Sequence, residues 1–263
     1  MSVSTPVPTL PPSSRSPPPP GLGPAVSDRG TVAHEALRSE RWTVGGVAKV
    51  AKDVEVGSAD LDGTVIVGGA LRAVSVTAVG TLEARGAVEV LGPLKVEGAL
   101  EAGASVRAQE ARLHGRSRIV GALLVEARLE AHGTVHAPSV VCGSLDLRGT
   151  AVLPEVTVAG VLEAVLDGDG TFGSIRAQEV RLRGPVPNLV RRILAPEPLV
   201  TVERIEAERV SLEGVRVGFV RSPEVFLGRS AHVGTVEGRV VRAHPSSRVG
   251  PESWSRPPSG LVR

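Results

Sequence analysis

From about Gly45 to Leu182, aliphatic residues recur in pairs at i and i+2, with polar residues between and around them. Val54 and Val56, Val65 and Val67, Val74 and Val76, Val88 and Val90, and Leu94 and Val96 are examples. Such alternation puts one face of a short strand into a core and the other into water. Only a few residues separate successive pairs, and glycine is common among them. The pattern predicts many short strands joined by tight corners.

The glycines give the pattern a period. They fall at 57, 63 and 69, at 80, 86, 92 and 98, at 115 and 121, and at 143 and 149, in steps of six. A step of eighteen joins Gly80 to Gly98, Gly103 to Gly121 and Gly115 to Gly133, and Leu82-Glu83-Ala84 returns as Leu100-Glu101-Ala102. Three six-residue sides make one eighteen-residue coil. The expected fold class is therefore all-β, a three-sided parallel β-helix (a solenoid) in which each coil lies on the one before. Glycine turns the corners, where φ is often positive. About seven or eight coils, at about 4.8 Å each, predict a rod on the order of 35 Å long. A disordered glycine-rich segment lacks sustained apolar alternation. A β-sandwich spaces its strands more widely and uses more aromatics.

The pattern also divides the chain. Residues 1–44 read as a Pro-rich disordered tail, with nine prolines in the first 24 residues and a short helix around Val32 to Arg41. Residues 45–184 read as the β-helix. Residues 185–198 carry Pro185, Pro187, Pro196 and Pro198 and read as an excursion, with one helical turn through Asn188 to Leu194. Strand pattern resumes over 199–242, a second β segment that continues or caps the helix. Residues 243–263 read as another disordered tail.

Composition sharpens this reading. The chain has 263 residues, no Tyr, three Phe and two Trp. A core of Val, Leu, Ile and Ala suits an interior too narrow for rings. The net charge of +2 gives no basic stripe for nucleic acid. One cysteine, Cys142, permits no internal disulfide and reads as a small buried hydrophobe. The Pro-rich start does not read as a signal peptide, and no run of 18 apolar residues is present. The expected location is cytoplasmic.

Two stretches resemble the bactofilins, the polymer-forming cytoskeletal proteins of bacteria. One is the repeat from Val54 to about Leu162, with units such as Val88-Glu-Val-Leu-Gly-Pro-Leu-Lys-Val-Glu-Gly98. The other is Ile205-Glu-Ala-Glu-Arg-Val-Ser-Leu-Glu-Gly214 with Val220-Arg221, Val225 to Gly228 and Val233 to Glu237. The resemblance implies a right-handed β-helix, disordered flanking tails and head-to-tail polymerisation without nucleotide.

No catalytic residue, cofactor or metal is expected. The enzymatic rival is a hexapeptide-repeat acyltransferase, which needs a histidine base in a cleft between subunits. His114 and His132 stand eighteen residues apart, so they stack on adjacent coils. No carboxylate or third ligand is read at supporting spacing, and the pair reads as exposed surface; His136 is the third histidine weighed. Gly168-Asp169-Gly170 with Phe172-Gly173 lacks the Lys-Ser/Thr of a phosphate loop and reads as a wide corner. Glu83 over Glu101, and the series Glu110, Arg128, Asp146, read as outward ladders between coils.

A β-helix has two ends with unpaired backbone groups and an apolar cross-section. Stacking rod on rod buries both and makes fibres, so the expected partner is the chain itself. Phe219 and Phe226, in the last β segment, and Val54 and Val56, at the start of the repeat, are the candidate polymerisation interface. The tails, through Pro8-Thr-Leu-Pro11 and Pro17 to Pro20, are candidate docking sites for other proteins. Arg15, Arg29, Arg248, Arg256 and Arg263 are too sparse to argue for a membrane surface. The alternative to a polymer is a β-helical adaptor or cell-division regulator that stays monomeric or dimeric.

Overall fold

The computed structural model describes residues 21–185 and 200–250. These form β1 (Val26–His34), β2 (Leu37–Val50), β3 (Val54–Val67), β4 (Leu71–Ala84), β5 (Val88–Val90), β6 (Pro93–Ala102), β7 (Val106–Ala108) and β8 (Glu110–Ile119). There follow β9 (Ala122–His136), β10 (Ser139–Val158), β11 (Val161–Arg183), β12 (Val200–Glu213), β13 (Arg216–Leu227), β14 (His232–Ala243) and β15 (Arg248–Val249). All belong to one sheet, and every pairing in it is parallel. The result is a parallel β-solenoid of about 12 turns. At about 4.8 Å per turn the stack is on the order of 55 Å long, against the 35 Å expected from seven or eight coils.

Three sides are visible in the burial. The turn beginning at Leu71 sends inward Leu71 and Ala73, then Val76 and Ala78, then Leu82 and Ala84. The next turn begins at Val88, so the sides take five, six and six residues. From Val88 the inward pairs start at Leu94, Leu100 and Val106, a turn of six, six and six. The register follows: Leu71 lies on Val88, seventeen residues on, while Val76 lies on Leu94, eighteen on. The eighteen-residue period is thus one of several. Sides of five residues shorten the turn, and the hydrogen-bonded register accepts either length because the length changes at the corners. Val74, expected inward with Val76, lies at such a corner and is exposed.

Like residues stack in columns through the core. Leu37, Val54, Leu71, Val88, Val106, Leu123 and Val140 lie one on the next, and all are buried. One corner is a column of glycine: Gly30, Gly46, Gly63, Gly80, Gly98, Gly115, Gly133 and Gly149 are in register and all have positive φ. A Cβ on Gly98 would lie 2.1 Å from the carbonyl oxygen of Gly80. Conformation and space therefore both demand glycine there.

The structure moves several boundaries. The solenoid starts in what reads as the 1–44 tail, since β1 and the first part of β2 occupy Val26 to Val44 and no helix forms over Val32 to Arg41. It also enters the 243–263 tail, through β15. Arg29 and Arg248 are strand residues for the same reason. Composition misled at both ends because polar and glycine-rich turns still have partners in register. Residues 200–243 continue the same stack: Gly170 lies on Val200 and Ile175 on Ile205. The proposed helical turn at 188–194 lies outside the described residues, as do residues 1–20 and 251–263 of the tails.

The interior also holds rings. Trp42 and Phe172 are fully buried. Trp42 stacks on Ala59, whose small side chain leaves the room a ring needs. Gly168 to Gly170 belongs to β11, where the register against β10 shifts between Gly149 and Ala151. It absorbs inserted residues, as a wide corner does.

Candidate functional site

Among the described residues, three places carry groups that the repeat itself does not require: the two ends and one patch on the side. At the N-terminal end, the column Val44, Leu61, Ala78, Val96, Leu113 and Ala131 terminates in Asp28. Asp28 is buried, at 7% exposure. Its Oδ2 accepts a 2.9 Å hydrogen bond from Trp42 Nε1 and lies 2.8 Å from His34 Nε2. A carboxylate without partners would be costly at an interior position. Here an indole, an imidazole and an acid close the end of the aliphatic column.

The C-terminal end is built differently. Val180, Val210 and Val225 are fully buried, but Val240, stacked on Val225, is 38% exposed. Phe172, Val202, Val217 and Val233 are buried, but Val249, stacked on Val233, is 52% exposed. The strand β15 covers only His232 and Val233 of β14. From Gly234 to Ala243 no described strand lies on the outer edge of β14. Val241, the extra residue of a bulge against β13, adds to the exposed apolar surface.

Neither pair proposed as an interface from sequence lies on an end. Val54 and Val56 are in the core, with coils above and below them. They were misplaced because the repeat starts a full coil and more before residue 54. Phe219 and Phe226 are half-buried on the outside of β13. Phe219 packs under the Arg204 guanidinium, 4.9 Å from the ring centroid, and Phe226 lies between Ser211 and Arg242 in the register. Both are on the wall, with β14 between them and the end.

The lateral patch spans β8 and β9. His114 lies on His132, as the eighteen-residue spacing predicts. Their rings stack with centroids 4.7 Å apart and 2° between planes. Glu130, two residues before His132 and therefore on the same face, places Oε1 3.7 Å from the Nε2 of each histidine. Both Nε2 atoms are buried and lack a hydrogen-bond partner. The third group that sequence reading did not find is present, and the signal for it was the i, i+2 step within one strand. Glu130 Oε2 faces Arg112 at 3.7 Å and Arg128 at 4.0 Å. The series Glu110, Arg128, Asp146 is not one ladder: Asp146 lies on Glu130 and Ser144 on Arg128. Arg128 still reaches Asp146 diagonally, at 3.6 Å. His136 is exposed and stands apart from the cluster.

Cys142 is buried in the core of β10. Burial pushes its thiol up to about 12, so it is neutral and serves as packing. Comparison of the chain with protein-family models, with curated proteins and with solved structures returned no match.

Proposed function

We propose that this chain is a structural protein of the cytoplasm, a β-helical rod that associates with further copies of itself through its ends and needs no nucleotide to do so. The C-terminal turn carries this reading. Val225 and Val233 are closed from water, while Val240 and Val249, next in the same columns, are open to it. An apolar cross-section beside a strand edge that no described strand covers drives burial and offers a template for pairing. A second copy answers both needs, because its own terminal coil has the same three-sided outline.

Stacking head to tail gives a filament. The Asp28 plug favours a second, bounded reading, in which two rods join through their C-terminal ends and stop. Apolar surface then meets apolar surface, and the polar plugs stay outside.

The test is sedimentation and negative-stain microscopy of the full chain against the double variant Val240→Asp, Val249→Asp. Both side chains are exposed, so the variant is expected to keep its strand spectrum and to stay in the supernatant. A variant that sediments like the parent sinks the assignment of the C-terminal turn. A parent dimer lost in the variant supports the bounded form, and a parent monomer at every concentration sinks both forms. A chain ending at Gly250 that assembles where the full chain does not would identify 251–263 as the occupant of that end.

A further inference from the structure

We propose that His114, Glu130 and His132 form a binding site for a divalent transition-metal ion of the zinc class, bridging two adjacent turns of the solenoid. The ligand atoms are two imidazole nitrogens and one carboxylate oxygen, the donor set of zinc sites that keep a fourth position for water. All three atoms lie within 4.8 Å of one another. Bonds of about 2.0–2.1 Å place tetrahedral ligands about 3.3 Å apart, so the 3.7 Å from Oε1 to each Nε2 is close to what a bound ion needs. Both Nε2 atoms are orphaned. Buried polar atoms are nearly always satisfied, and one that is not calls for an explanation. Two of them, each 3.7 Å from one carboxylate oxygen, have a common explanation in an ion between the three.

The surroundings divide the carboxylate. Arg112 and Arg128 approach Oε2, leaving Oε1 to the imidazoles. Asp146 takes a share of Arg128 and pairs with Arg148, which reduces the positive field on the site. Glu97, one turn before His114 in the register, adds negative charge from the other side. The two rings are parallel, so binding requires them to tilt until their lone pairs converge. They are side chains on an outer wall, and such tilting leaves the backbone register untouched. Softer or oxygen-seeking ions fit less well: there is no thiolate in the cluster, and only one oxygen donor.

An ion held here would tie β8 to β9 and stabilise the folded chain by mass action. The site lies mid-rod, away from both ends, so it stands or falls independently of the assembly reading.

The experiment titrates the full chain, stripped with a chelator, with Co²⁺ at about pH 7.5, since metal binding competes with protons for its ligands. Visible ligand-field bands of tetrahedral strength, displaced by Zn²⁺, are expected for the parent. His114→Ala and His132→Ala are expected to abolish them. Glu130→Gln should weaken affinity by at least the roughly tenfold seen on losing even an outer-shell partner. His136→Ala, an exposed histidine on the same strand, is the control and should bind as the parent does. Zn²⁺ should raise the thermal midpoint of the parent and not that of His132→Ala. Because the three side chains point outward, the variants are expected to keep the parent's circular dichroism. A Co²⁺ spectrum that stays that of the hydrated ion overturns the proposal. So does equal binding by the parent and the His114→Ala, His132→Ala double variant.

Discussion

Trp42 donates its indole N–H to Asp28 in the turn next to it, across 2.9 Å, and the same carboxylate oxygen faces His34. Among the described residues, this is where the aliphatic column of Val44 and Leu61 ends. Trp42→Phe keeps the ring and removes the donor. The expected loss is about 1–3 kcal/mol, confined to the first turns because a solenoid couples nearest neighbours. Hydrogen exchange should speed up in β1 while β4 to β9 keep their protection. Uniform loss of protection along the rod would show that the plug holds more than its own end.

The plug also separates the two ends chemically. Asp28→Leu would carry the column of Val44 and Leu61 out to the first turn. Light scattering at fixed concentration should then report larger particles, since both ends would be apolar. An unchanged size distribution would exclude the N-terminal turn from contact between rods.

The glycine column allows conformational strain to be told from steric overlap. Gly30 and Gly98 both have positive φ, 79° and 131°. A Cβ on Gly30 meets nothing within 4 Å, while one on Gly98 meets the Gly80 carbonyl oxygen at 2.1 Å. Gly30→Ala should therefore lose only the backbone term, about 1–3 kcal/mol, and only in the first turn. Gly98→Ala should lose that and also force two turns apart in mid-rod. Gly160→Ala, with ordinary φ and a 3.2 Å contact to the Gly143 oxygen, should be the mildest of the three. Denaturant unfolding followed by circular dichroism ranks them, and equal midpoints for Gly30→Ala and Gly98→Ala would refute the steric part.

The same column explains how far the fold could be read from sequence. Gly80, Gly98, Gly115 and Gly133 already carry the period, because only glycine fits where turn lies on turn. The alternation of Val54 with Val56, or of Leu94 with Val96, gives the strands for the same reason. Turn length was legible only in part. Whether a side has five residues or six is decided at corners, and a corner residue such as Val74 is indistinguishable in type from a core residue. The ends were misread because Asp28 and His34 are polar where every later turn is apolar, so the periodicity fades before the solenoid does. At the lateral site the pairing of His114 with His132 followed from the period. Glu130 needed the further step that residues two apart on a strand share a face.

Cys142 gives a chemical check on the core. Its thiol, pushed up to about 12 by burial, should resist alkylation in the native chain at mildly alkaline pH and react once the chain is unfolded. Above the ordinary thiol value the unfolded chain releases this proton and the folded one retains it. Stability should therefore be unaffected by Cys142 at neutral pH and should fall as pH rises from about 9 toward 12. Cys142→Val, similar in size and without the proton, should remove that part of the alkaline loss. Rapid labelling of the native chain would mean that β10 opens far more readily than its packing implies.

His232 sits in the turn proposed to join one rod to another, stacked between Arg216 and Arg248. Partial burial, and then the charges of Arg216 and Arg248, hold its imidazole below the ordinary value. A base whose folded value is lowered contributes stability that is whole above its unfolded value, about 6.5. That stability is lost as pH falls through the folded value, because the unfolded chain takes up the proton first. Protonation would also put three cations in one column at an end that must meet a second copy. Acidification from about pH 7 to about pH 5.5, across the range where histidines titrate, should therefore fray β14 and β15 and reduce the sedimenting fraction. His232→Gln, which keeps a polar side chain and cannot charge, should make both readings much less sensitive to pH. If the parent and His232→Gln lose assembly over the same range, the acid response belongs to another group.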